Sequence, residues 1–192
     1  QEVLKEDSGN LDGHSLMGDI MIAKQDYEGA IAQYREVLDG NAESVPAALG
    51  LAKAHILNKE PDLAEEAYKN LLKIQPKSKD ALMGLAYIYA EQGKTEPERE
   101  QLERLLEIEP GNVTALNMLT TLMLKEKKQD QALARLKEEL DKQPDNPDLY
   151  VLYGRVQAYM KDLDGAGKSF EKAMSLNPDS QEALFYMANL EV

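Results

Sequence analysis

The sequence contains no cysteine and no tryptophan, and only two histidines and two phenylalanines among 192 residues. Without cysteine there is no disulfide framework, no thiolate nucleophile, no iron–sulfur cluster and no Cys-ligated zinc. The same absence leaves the compartment open, because a cysteine-free chain suits the cytoplasm and an oxidising space alike. Positive charge is scarce: 22 Lys and Arg stand against 35 Asp and Glu, a net charge of −13. Nucleic acid is disfavoured, since a phosphate backbone calls for clustered Lys and Arg, and so is an anionic membrane surface. Long apolar runs are missing too. No stretch approaches the roughly 18 apolar residues of a spanning helix, so no direct membrane insertion is expected. Residues 1–10 lack the apolar run of a signal peptide. What remains is 43% hydrophobic and 30% charged, the composition of a folded domain.

What is present is a period. Small residues recur every 34 positions, at Gly18, Ala52, Ala86, Thr120, Gly154 and Ala188. One position earlier lie Met17, Leu51, Leu85, Leu119, Tyr153 and Met187, and three before those His14, Ala48, Leu82, Leu116, Tyr150 and Leu184. Twelve after the small residue come Ala30, Ala64, Glu98, Ala132 and Ala166, then four further Tyr34, Tyr68, Leu102, Leu136 and Phe170. Eight beyond those are Ala42, Pro76, Pro110, Pro144 and Pro178. Apolar offsets of three and four define one face of a helix, and the proline column closes each unit because Pro cannot continue one. A second break in every unit, such as Lys59-Glu60-Pro61-Asp62, divides it into helix, turn, helix. Thr95 with Glu98 reads as a capping box. The small column lets the second helix pack closely on the first.

These columns resemble the tetratricopeptide repeat family, whose pattern is W-x2-L-G-x2-Y, then A-x3-F-x2-A, then P. Residues 147–180 come close, with Tyr150, Tyr153-Gly154, Ala166, Phe170, Ala173 and Pro178. Departures are Ala42 for Pro, Glu98 for Ala, Thr120 for Gly and Glu139 for the last Ala, each read as a matter of local packing. The resemblance implies an all-α fold, a right-handed superhelical α-solenoid of antiparallel helix pairs. Its repeats would be 11–44, 45–78, 79–112, 113–146 and 147–180. Residues 1–10, with Val3 and Leu4 in phase with Val37 and Leu38, match the end of a preceding helix, and 181–192 match the first helix of a sixth repeat. The chain reads as a single array, a window from a longer protein. In the last helix Leu184, Met187 and Ala188 are expected to pack backward. Phe185, Tyr186 and Leu190 would then form an open edge able to self-associate.

The family lines its concave side with first helices. Carried onto this chain, that places Met83, Tyr87, Asn117, Met118, Thr121, Arg155, Tyr159, Phe185, Tyr186 and Asn189 in a peptide-binding groove. Met and aromatic side chains adapt to an apolar partner, and Asn can both donate to and accept from a peptide backbone. The acidic start of the groove, with seven carboxylates against two cations in 11–44, contrasts with this half. The Lys/Asn carboxylate clamp of chaperone-binding members fails in every register; starting at residue 113, its positions hold Asn117, Thr121, Leu152, Glu182 and Tyr186. The asparagine ladder of sugar-transferase arrays is also missing, its column reading Leu16, Gly50, Gly84, Met118, Leu152 and Tyr186.

No catalytic constellation emerges. His14 and His55 fall in core columns on different repeats, and no Ser–His–Asp set is apparent. Gly165-Ala166-Gly167 follows no strand, and Asp162, Asp164 and Gly165 lack the other ligands of a calcium loop. Asn112-Val113-Thr114 is a glycosylation sequon with meaning only in a secreted eukaryotic protein. The reading is a non-enzymatic protein-interaction scaffold, without cofactor or metal, that takes a peptide or helix of a partner. The alternatives are a recruitment module of an enzyme whose catalytic domain lies elsewhere, or an assembly and export scaffold of the bacterial envelope. Uniformly short loops suggest a bacterial source.

Overall fold

A computed structural model describes residues 10–190, and Val3 and Leu4 lie outside that range. Eleven helices and no strand occur among the described residues. Six are first helices: α1 (Leu11–Ala23), α3 (Val45–Leu57), α5 (Lys79–Glu91), α7 (Val113–Lys125), α9 (Pro147–Tyr159) and α11 (Gln181–Leu190). Five are second helices: α2 (Tyr27–Gly40), α4 (Pro61–Ile74), α6 (Thr95–Ile108), α8 (Gln129–Lys142) and α10 (Leu163–Leu176). Both series start at intervals of 34 residues.

Local chemistry sets those starts. Asn10, Ser44, Ser78, Asn112, Asn146 and Ser180 precede the six first helices, and the side chain of each accepts a backbone N–H of the first turn at 2.8 to 3.4 Å. The sequon asparagine, Asn112, is therefore occupied as a helix cap. The first-to-second turn is equally uniform. Gln25, Lys59, Gly93, Lys127 and Lys161 all adopt φ between 60° and 69°. The N–H of the following residue reaches back five positions, as from Asp26 to the Met21 carbonyl at 2.9 Å and from Lys94 to Tyr89 at 2.9 Å. That pairing closes a helix through one left-handed residue. The next residue then opens the second helix, so Asp26 and Asp162 accept from Gly29 and Gly165 N–H at 3.0 Å.

The same frame corrects the capping box. Lys94 occupies the cap position and its carbonyl accepts the Glu98 N–H at 3.0 Å, while Thr95 is already the first helical residue. The turn uses Gly93 and Lys94 to reverse the chain, which leaves no non-helical position for Thr95. Likewise, Asp162 serves as a helix cap beside the Gly165-Ala166-Gly167 segment.

The chain divides into two compact units, residues 1–101 and 102–192, with the boundary inside α6. In the first unit α2 packs against α1 and α3, and α4 against α3 and α5. Tyr34 is the wedge. A methyl group at Gly18 would stand 2.7 Å from its ring, and one at Gly50, on the next first helix, 2.5 Å. The Tyr34 hydroxyl donates to Asp19 Oδ1 at 2.7 Å, and burial together with that acceptor pushes its pKa up. Around it lie Ala30, Ile31, Val37, Ala47 and Ala54. In the second unit α8 packs against α7 and α9, and α10 against α9 and α11. Phe170 takes the place of Tyr34 here, close against Gly154, with Val151, Ala166, Ala173 and Ala183 around it.

Candidate functional site

First helices of the second unit follow one another in contact, α7 to α9 to α11. Their shared face carries a connected polar and aromatic cluster. Arg155 on α9 donates from Nη1 to Asn117 Oδ1 on α7 at 3.0 Å. Its guanidinium lies 5.2 Å from the ring centre of Tyr186 on α11, within cation–π range. Glu182 Oε1 stands 3.9 Å from the same Nη1, a loose exposed pairing. Tyr186 in turn stacks on Phe170 at 5.7 Å and meets Phe185 edge-on at 5.4 Å. Two exposed aromatics flank the cluster, Tyr159 at 54% and Phe185 at 63%.

The sequence-derived groove residues divide as follows. Asn117, Arg155, Tyr186 and Phe185 come together in this cluster. Thr121 and Tyr159 are exposed on α7 and α9, and Met118 is half-buried. Asn189 is exposed, but its Nδ2 donates to the Phe185 carbonyl of its own helix at 2.7 Å. Met83, half-buried, and Tyr87, 50% exposed, sit on α5 in the first unit. Glu182 was not anticipated as a neighbour of Arg155. The signal was the carboxylate-clamp register, in which Glu182 falls with Asn117 and Tyr186.

The C-terminal edge differs from the expectation. Met187 packs against the Phe170 cluster as expected, but Tyr186 and Leu190 pack there too, beside Ala183. Leu184 is 50% exposed, and Ala188 is exposed as well. The reason is the small-residue column. In the other pairs the second helix covers that column, as Tyr34 covers Gly18 and Phe170 covers Gly154. No second helix follows α11 among the described residues. The large apolar residues open there are Leu184 and Phe185.

Both histidines are engaged by neighbouring side chains. His55 is buried, its Nδ1 2.7 Å from Glu60 Oε2, and this contact chiefly holds the Glu60 carboxyl below its ordinary pKa. His14 Nδ1 lies 2.8 Å from Gln33 Oε1. No group of three or more His, Asp or Glu among the described residues is placed to hold a metal ion. No helix among them is long and apolar enough to cross a membrane.

The second unit also holds a cleft of about 430 Å³ that the sequence did not announce. Glu103, Leu106, Glu107, Pro110, Leu119, Met123, Arg135, Glu139 and Lys142 line it. Glu139 is fully buried. Its Oε1 pairs with Lys142 Nζ at 3.0 Å and Arg135 Nη2 at 3.4 Å, and its Oε2 has no hydrogen-bond partner.

Comparison with known proteins agrees with this architecture. Tetratricopeptide repeat family models match residues 16–79, 56–122 and 147–180. No curated protein matches the sequence. Among solved structures, MamA superposes with a TM-score of 0.69 at 21% identity, over 88% of this chain and 92% of that one. YrrB, a tetratricopeptide repeat protein with an unusual peptide-binding site, gives 0.65 at 17% identity over 97% and 96%. A thermophilic tetratricopeptide repeat protein of Thermus thermophilus gives 0.62 at 20% over 94% and 98%. At these identities the likeness is one of fold.

Proposed function

The chain belongs to the tetratricopeptide repeat family, and from that premise we propose that it is a non-catalytic scaffold whose first-helix face in the second unit binds a peptide or helix of a partner protein. The Asn117–Arg155–Tyr186 cluster supports this reading. It joins three consecutive first helices by a charge-assisted hydrogen bond and a cation–π contact, so the Arg155 guanidinium is held in place before any partner arrives. A pre-ordered anchor spares a partner much of the side-chain ordering that binding otherwise demands. Arg155 has further N–H groups that can meet a peptide carbonyl or carboxylate. Tyr159 and Phe185 supply exposed aromatic area beside it, the kind of side chain that dominates peptide and helix recognition. YrrB, of the same fold, has an unusual peptide-binding site, which supports such a use.

The test is selection of binders from a displayed random-peptide library on the full chain. Each selected peptide is then measured against the Arg155→Glu, Tyr159→Ala double variant, with thermal stability matched to the parent. The expected result is a loss of at least about tenfold in affinity, as for removal of a central anchor. Peptides that bind parent and double variant equally would move the binding surface elsewhere on the molecule.

A further inference from the structure

Glu139 breaks a rule that the rest of the chain keeps. Its equivalents at the 34-residue interval are Val37, Leu71, Leu105 and Ala173, every one apolar and buried. Glu139 is as buried as they are, and it is ionisable. Taking a carboxylate out of water is costly, and the cost is recovered only when its lone pairs are met by charges and hydrogen bonds. Here the recovery is half complete. Arg135 and Lys142, on the same helix, both serve Oε1, and nothing serves Oε2. A fully buried position whose acceptor is left without a donor is where a ligand group is to be sought.

The cleft beside it has the matching form. Leu106 and Leu119 are buried and Met123 is half-buried, so its walls include apolar area. At the rim stand two exposed carboxylates, Glu103 and Glu107, one turn apart on α6. The three carboxylates outnumber the two cations that line it, and the whole chain carries −13. An occupant that brings N–H donors and positive charge, on a stem that can lie against Leu and Met, complements this lining. Its volume of about 430 Å³ lies within the ordinary range of small-ligand sites.

We propose that the cleft between α6, α7 and α8 is a second recognition site, which takes an arginine side chain of a partner protein with Glu139 at its floor and Glu103 and Glu107 at its rim. Arginine fits better than lysine because its planar fork presents donors to two acceptors at once, while its three methylenes cover the apolar wall. None of the cleft's lining residues belongs to the Asn117–Arg155–Tyr186 cluster, so this site stands or falls independently of the groove.

The experiment is a titration of the full chain, labelled at its methionine methyls, with N-acetyl-arginine amide. The neutral isostere N-acetyl-citrulline amide is titrated in parallel. The Met123 methyl signal is expected to shift and saturate below about 10 mM, the affinity range of a single side chain. The citrulline compound should bind about tenfold more weakly, as for loss of a charge-assisted contact. Glu139→Leu, which installs the residue found at positions 71 and 105, should abolish the shift. Should that variant not fold, Glu103→Gln, Glu107→Gln alters only exposed rim residues and should weaken binding about tenfold. A Met123 signal that never saturates, equal binding of the two amides, or undiminished binding by the rim variant would each overturn the proposal.

Discussion

The guanidinium of Arg155 lies over the ring of Tyr186 while its Nη1 donates to Asn117, so one side chain ties α9 to both flanking first helices. A lysine ammonium could make either contact alone, but its single compact charge is poorly shaped to make both at once. A lysine has no planar face to lay on the ring and no fork to share between two neighbours.

The first prediction follows from that geometry. In a double-mutant cycle, Asn117→Ala and Arg155→Ala should be non-additive in urea denaturation, with a coupling of about 0.5–1.5 kcal/mol. Arg155→Lys should recover little of it. Strict additivity would mean that the two side chains do not constrain each other in solution.

The five left-handed turn residues make a second prediction. Gln25, Lys59, Lys127 and Lys161 carry side chains at φ near 60–69°, where a Cβ crowds the adjoining backbone, and only Gly93 avoids this. Lys59→Gly, Lys127→Gly and Lys161→Gly should each stabilise the chain by up to about 1 kcal/mol, the strain being partly offset by greater freedom of the unfolded state. Gly93→Ala should destabilise by a similar amount. A methyl group there would touch nothing within 4 Å, so any loss comes from the backbone alone. Denaturation midpoints of the four variants decide the matter.

Much of this was legible in the sequence because repeats turn weak local signals into phased columns. A lone Ser44 or Asn146 is an ordinary polar residue; the same chemistry at 10, 78, 112 and 180 marks a cap. The helix pairs, their boundaries and the close approach at Gly18 and Gly154 all rest on such local chemistry. Thr95 is one residue too late for the cap because Lys94 fills the cap position after Gly93, and a lysine there carries no capping signature in the sequence. The packing of α11 was misjudged for a different reason. Columns report which residues are buried in a complete pair, and they do not say which neighbour buries each one. The cleft at Glu139 was read as a local departure, since a column shows the odd residue but not the space beside it or the oxygen left without a partner.

A third prediction concerns the Tyr34 wedge. Added methyl groups at Gly18 and Gly50 would meet the ring on two sides, in a region too densely packed to yield freely. Gly18→Ala and Gly50→Ala should each cost about 1–3 kcal/mol, the usual penalty of overpacking. Combined with Tyr34→Leu, which shortens the wedge, Gly50→Ala should cost markedly less. If its cost is unchanged in that background, the clash is with something other than Tyr34.

Acid sensitivity should reside in part at Glu65. Its carboxylate accepts from Lys69 Nζ at 2.6 Å and from the Tyr89 hydroxyl at 3.1 Å, and Lys94 Nζ lies 3.5 Å away. The Lys69 hydrogen bond above all holds its pKa below the ordinary value. The folded chain therefore takes up this proton less readily than the unfolded chain. The stabilisation is complete above the unfolded carboxyl pKa of about 4.3 and fades as pH falls through and below it. Glu65→Gln keeps the shape and removes the charge. At pH 7 it should lower stability by about 1 kcal/mol, and once the pH is below the lowered carboxyl pKa of the folded chain the variant and parent should converge. A difference that persists undiminished into acid would assign the loss to the geometry of the amide, and not to the ion pair.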